Sequence, residues 1–171
     1  MAALNAAYIA NDLKQALRNL VRSVVVVTAR HEGQVYAMAA TAISEVSMDP
    51  PSMLVCINRD NAIFHAIDAG SDLVLNVLTQ DHEAVSRACG GGRKGLEKFD
   101  VGQWDLLSDA HPPALRDALA IIHLKQASTL DHGSHRIVIG NVQSVLHPAP
   151  TTPLVFCGGR YLQLDNSLPV Q

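Results

Sequence analysis

Apolar positions along this chain come in short runs broken by Gly, Pro, Asn and Asp, and most runs are too brief for helices. Residues 23–29 (SVVVVTA) are β-branched through the middle and read as a buried strand. His31-Glu32-Gly33-Gln34 is a turn, after which 35–43 returns as the partner strand. Residues 53–57 and 73–78 are two more apolar strands. After Pro112-Pro113 come two longer ones, about 118–127 and 135–146. A linker at 148–153 leads to a last pair of short strands within 154–164.

Helical spacing is rarer. Asn11 or Asp12 can cap a helix carrying Leu13, Leu17 and Leu20. Residues 62–67 predict a short helix ended near Gly70, and Asp81 a capped helix running to Cys89. Gly90-Gly91-Gly92 ends that helix and opens a loop with Arg93 and Lys94. Many strands with few helices predict a mainly β fold, a closed antiparallel barrel with peripheral helices. The 171 residues suit a single domain spanning 1–171, with its core at about 12–164.

Composition narrows the function classes. An apolar fraction of 48% with 17% charged residues describes a globular chain with a sizeable core. Net charge is −3, without a Lys/Arg block, and there are one Trp, three Tyr and three Phe, which argues against a nucleic-acid partner. No polybasic anchor, apolar span or secretory leader is expected, so no membrane partner either. Cys56, Cys89 and Cys157 are odd in number and form no C-x-x-C pair, consistent with three buried thiols in a reducing cytoplasm.

The segment 39–58 (AATAISEVSMDPPSMLVCIN) carries the most chemistry. Small residues Ala39, Ala40, Thr41 and Ala42 let a flat ligand approach the main chain, whose N–H groups remain available. Pro50-Pro51 cannot donate ladder hydrogen bonds and must fix a turn. Such a run suits a planar, acceptor-rich ring such as a flavin; a buried hairpin is the plainer reading. GGGRKG is not a P-loop, since no Gly-Lys-Ser/Thr stands at the required spacing, and no G-x-G-x-x-G is present. His132-x-x-His135 lacks an evident third ligand, so no metal is expected.

The run 39–58, together with Leu75-Asn76-Val77-Leu78, Glu97-Lys98-Phe99, Gly133-Ser134-His135 and Gly159-Arg160-Tyr161, resembles the flavin reductase-like family. Members are NAD(P)H:flavin oxidoreductases on an FMN-binding antiparallel split β-barrel. They supply reduced flavin to two-component aromatic monooxygenases. The resemblance implies a homodimer with both chains at the flavin pocket, a flavin-dependent monooxygenase partner, FMN or FAD, and NADH or NADPH. A non-catalytic flavin-binding or electron-transfer protein on the same barrel is the alternative.

Residue by residue, the resemblance puts the ring against Ala39, Ala40, Thr41 and Ala42, with Cys56 on the neighbouring strand. Asn58, Arg59 and Asn61 fall where the ribityl chain and phosphate are held, though Asp60 is an unfavourable anion there, and Asn61 equally suits a helix cap. Asn76 is either a flavin contact or a buried amide satisfied by backbone. Phe99 is either a flavin border or core. Ser134 and His135 match a Gly-Asp-His motif beside the nicotinamide, with Ser134 replacing the acid, so a polarising partner for the imidazole is expected to be missing. His135 is the candidate catalytic residue. Tyr161 lies on the dinucleotide side, and Arg93 and Lys94 could reach dinucleotide phosphates.

Overall fold

Four consecutive valines organise the sheet. The computed structural model describes residues 2–106, 111–149 and 151–164. Helix α1 (Ala2–Arg18) and a two-residue strand β1 (Arg22–Ser23) lead into β2 (Val25–His31). Val24 and Val26 face one apolar cluster, Val25 and Val27 the other, and all four are at most 2% exposed. A strand buried on both faces has no polar alternation, which is why its sequence reads as a continuous β-branched run. Each such valine contributes roughly 1.5–3 kcal/mol of burial.

The chain turns at Glu32-Gly33, where Gly33 takes φ +76°, and returns as β3 (Gln34–Ala40). β4 (Ile43–Met48) and β5 (Pro51–Asn58) follow as a hairpin, then α2 (Phe64–Asp68), β6 (Leu73–Val77) and α3 (Glu83–Arg87). A two-stranded ribbon, β7 (Trp104–Asp105) with β8 (Ala114–Leu115), precedes the long hairpin of β9 (Ala120–His132) and β10 (His135–Leu146). Last come β11 (Val155–Cys157) and β12 (Arg160–Leu162), which pair with each other and with β1.

Seven strands form one antiparallel sheet in the order β3-β2-β6-β9-β10-β5-β4. The fold is mainly β with peripheral helices. The hydrogen-bonded closure is not made: among the described residues no ladder joins β3 to β4, the two edges. They are consecutive in sequence, bridged by Thr41-Ala42, and the Ala42 C=O accepts the Cys56 N–H at 3.0 Å. The expected single strand 35–43 is therefore two strands at opposite edges of the sheet, split where the small residues lie.

Other boundaries also shift. α1 starts well before Asn11, because the Ala-rich stretch ahead of it is a strong helix former that needs no cap there. Asp81 is not the cap before α3; Thr79 and His82 form a capping box, with the Thr79 N–H donating to His82 Nδ1 at 3.2 Å. Pro50 lies in the tip of the β4–β5 hairpin and Pro51 opens β5, a position that tolerates the missing N–H. Of the three cysteines only Cys89 is buried; Cys56 and Cys157 are partly exposed, correcting the expectation of three buried thiols.

Candidate functional site

Strand alternation identifies which main-chain groups the open edge offers. The Ala37 C=O points away from β2 and accepts Lys98 Nζ at 2.6 Å. Two residues on, the N–H and C=O of Ala39 face the same open side. Ala39, Ala40 and Thr41 floor a cleft of about 160 Å³ walled by Phe156, Tyr161 and Ser86. Phe156 and Tyr161 meet edge to face at 5.2 Å, and the Tyr161 OH is 2.8 Å from Ser86 Oγ. Arg87 stacks its guanidinium 5.0 Å over the Tyr161 ring. A planar group fits this cleft: small side chains on one side, fixed aromatic rings on the other, an open edge donor at Ala39.

A second set of predicted residues gathers along β5 and β10. Cys56, half-buried, meets Ala42 through its N–H. Asn58 stands two residues further, about 7 Å along the strand, and is the register partner of His135. The Arg59 N–H donates to the Ser134 C=O at 3.0 Å, and its guanidinium donates to the Gly133 C=O. Asn58, Arg59, Ser134 and His135 are thus one cluster. Ser134 Oγ lies 2.9 Å from His135 Nδ1, so the imidazole does have a polar partner, a hydroxyl rather than a carboxylate. Asn61 Oδ1 accepts the Ile63 N–H at 3.3 Å and Asn58 Oδ1 the Asp60 N–H at 2.9 Å, so both amides also shape the turn into α2.

Two residues that the sequence leaves open between ligand contact and core are engaged in the fold. Asn76 is 0% exposed and its amide is consumed by the fold. Nδ2 donates to the Val26 C=O at 3.1 Å and to Thr28 Oγ1 at 3.4 Å, while Oδ1 accepts the Leu115 N–H at 2.7 Å. Phe99 is packed in the core, edge to face with Trp104 at 5.3 Å. The Arg93 guanidinium turns back to Asp100 at 3.3 Å and to the Glu97 C=O. Nearby, burial pushes the Cys89 thiol up to about 11, partly offset by Lys98, and burial lowers Lys98. A thiol so held is a packing group, not a nucleophile.

Sequence reasoning missed the walls. Phe156 and Ser86 complete the cleft, yet neither stands beside a recognisable motif. It also missed an adjoining cavity of about 410 Å³, which shares Thr41 and Phe156 with the cleft and reaches α1 and the β11–β12 turn. Lys14 and Arg18, one helical turn apart, were the only available signal.

Known proteins fit this geometry. The model of the flavin reductase like domain matches residues 17–165. The reductase component of the FADH(2)-dependent resorcinol hydroxylase of Rhizobium sp. is 32% identical over 155 residues, 90% of this chain and 86% of that protein. FMN reductase (NADH) RutF 2 of Rhizobium rhizogenes is 31% identical over 150 residues, 88% and 86% of the two chains. Among solved structures, a nitrilotriacetate monooxygenase component B from Mycobacterium thermoresistibile superposes with a TM-score of 0.83 at 26% identity, covering 97% of this chain and 93% of that one. With the match spanning nearly the whole chain, this chain belongs to the flavin reductase-like family.

Proposed function

We propose that this chain is an NADH-dependent flavin reductase that delivers reduced flavin to a partner monooxygenase. The observation that carries the reading is the cleft at Ala39–Thr41, where an outward main-chain donor meets fixed aromatic walls in a chain of this family. The similar proteins named an FMN reductase (NADH) and a hydroxylase reductase component support the substrate pair and the partner class.

When bound, the flavin supplies the hydride acceptor and the nicotinamide the donor. The protein's part is orientation and charge stabilisation, so no tuned acid–base pair is needed. The Ala39 N–H and the Thr41 hydroxyl donate to the ring edge, where reduction leaves negative charge. Phe156 and Tyr161 hold the plane. Asn58, Arg59 and Asn61 serve the ribityl and phosphate end, and His135, steadied by Ser134, lines the nicotinamide side.

The active form in this reading is a homodimer. Tyr8, Ile9, Leu13 and Leu17 on α1 are 40–66% exposed, an apolar stripe that a second copy would cover. Three unpaired thiols agree with a reducing cytoplasm. The test is loss of reduced-nicotinamide absorbance on mixing purified protein with NADH or NADPH and FMN or FAD, paired with sedimentation analysis. No turnover with any of the four combinations sinks the reductase reading; a monomer that turns over sinks only the dimer.

A further inference from the structure

The tip of the β9–β10 hairpin carries His135 yet has little of the protein around it. Residues 127–135 are exposed. Beyond Leu124, β9 pairs with β10 alone among the described residues, since its ladder with β6 ends there. A two-stranded ribbon is marginal by itself, so a side chain at its end is placed only as well as the ribbon is fastened. Two arginines fasten this one. Arg59, from the turn after β5, reaches the Ser134 C=O through its N–H and the Gly133 C=O through its guanidinium. Arg136 works on the other face, because neighbours along a strand point to opposite sides and His135 precedes it.

The Arg136 side chain is 15% exposed, and its fork is fully engaged. Nε and Nη2 donate to the two Asp131 carboxylate oxygens at 2.6 and 3.0 Å, a bidentate pair between register partners across the hairpin. Nη1 donates to Asp68 Oδ1 at 2.7 Å, and the guanidinium lies 4.6 Å over the Phe64 ring. Phe64 and Asp68 are the first and last residues of α2, which is anchored by buried Ala66 and Ile67. The hydrogen bonds from Arg136 chiefly, and the charge of Arg59 in lesser part, hold the Asp131 carboxyl below its ordinary range. A lone surface ion pair is weak, but a bidentate fork stacked on a ring and shared by two carboxylates holds one geometry.

We infer that Arg136 is a positioning residue for hydride transfer: its clamp on Asp131, Asp68 and Phe64 sets where the His135 imidazole stands against the nicotinamide. It acts through the backbone it shares with His135, from the opposite strand face. Arg59 holds the Gly133-Ser134 turn and Arg136 the ribbon behind it, so loss of Arg136 leaves the tip formed but poorly aimed. Misplacing a positioned group by about 1 Å can cost up to about a hundredfold in rate. The inference rests on the placement of His135 at the nicotinamide side, one part of the reductase reading.

The experiment compares wild type, R136Q, R136K, H135A and R136Q/H135A, with D68N as a milder cut should R136Q fail to fold by circular dichroism. In the flavin-free protein the His135 ring NMR signals are assigned by their disappearance in H135A. In R136Q they move toward those of an unconstrained imidazole, while histidines outside the hairpin keep theirs. R136Q raises the KM and the dissociation constant for NADH about fivefold or more and leaves flavin affinity within about twofold. D68N acts in the same direction by less, and R136K, which lacks the planar fork, recovers part of the loss. With His135 already gone, R136Q adds under about twofold, because both substitutions remove the same interaction. Unmoved ring signals in a folded R136Q, unchanged NADH constants, or an undiminished R136Q effect in the H135A background overturn the inference. So does an equal loss of flavin affinity. A wild type without turnover sinks the reductase reading, and the clamp is then judged on the ring signals and the NADH dissociation constants alone.

Discussion

Asn76→Ala separates a structural amide from a ligand contact. The substitution strands the Leu115 N–H, which donates to Asn76 Oδ1 at 2.7 Å and belongs to a fully buried residue. An orphaned buried donor costs roughly 1–3 kcal/mol, and the two bonds given by Nδ2 add about 1 kcal/mol together once solvation of the unfolded chain is counted. The sum is about 3 kcal/mol, which in a domain of this length lowers Tm by roughly 6–12 °C. The assay is urea unfolding of the flavin-free protein followed by tryptophan fluorescence. Trp104, the one Trp in the chain, is the register partner of Leu115, so the reporter sits beside the damage. A loss below about 1 kcal/mol refutes this account of Asn76. So does a normal stability combined with weakened flavin binding, which would return the amide to the ligand.

Other expectations are shorter. Gly140→Ala in β10 drives a Cβ to 2.8 Å from Leu124 Cβ, next to a register shift, and destabilises by about 2 kcal/mol in the same urea assay. Burial and, secondarily, His111 hold the His123 imidazole below its ordinary value. The unfolded chain then binds the extra proton, so stability is lost as pH falls through the ordinary imidazole range near 6.5; His123→Gln flattens that limb of a urea-midpoint pH series. Thr41→Val raises the flavin dissociation constant about fivefold, and an unchanged constant removes the hydroxyl from the site. His135→Ala raises the KM for NADH more than it weakens flavin binding; equal effects on both count against its nicotinamide role.

Sequence legibility tracked the distance over which each decision is made. β10 runs from His135 to Leu146 as its apolar pattern predicts, because its pairing on both sides rewards that pattern locally. The break at Thr41-Ala42 was invisible, since only the positions of β2 and β5 decide that one apolar run serves two sheet edges. The family resemblance brought Ala39–Ala42 and the Asn58–His135 cluster into view. It also offered Asn76 and Phe99, whose roles depend on Leu115, Val26 and Trp104, residues 5 to 50 positions away. His135 was legible, but the hydroxyl beside it was dismissed because a serine carries no charge, although its reach suffices.

The unpaired side of β3 has a bearing on how this molecule behaves when crowded. Exposed strand flanks invite foreign strands to add on, and proteins commonly blunt them with charge or cover. Here Lys98 occupies the Ala37 carbonyl, and the glycine turn at Gly90 packs close to the Ala39 methyl. What is left bare is a window of about two residues, too narrow for a polypeptide to register against. A small cofactor needs no more than that, so the same masking that admits it guards against fibrous self-association.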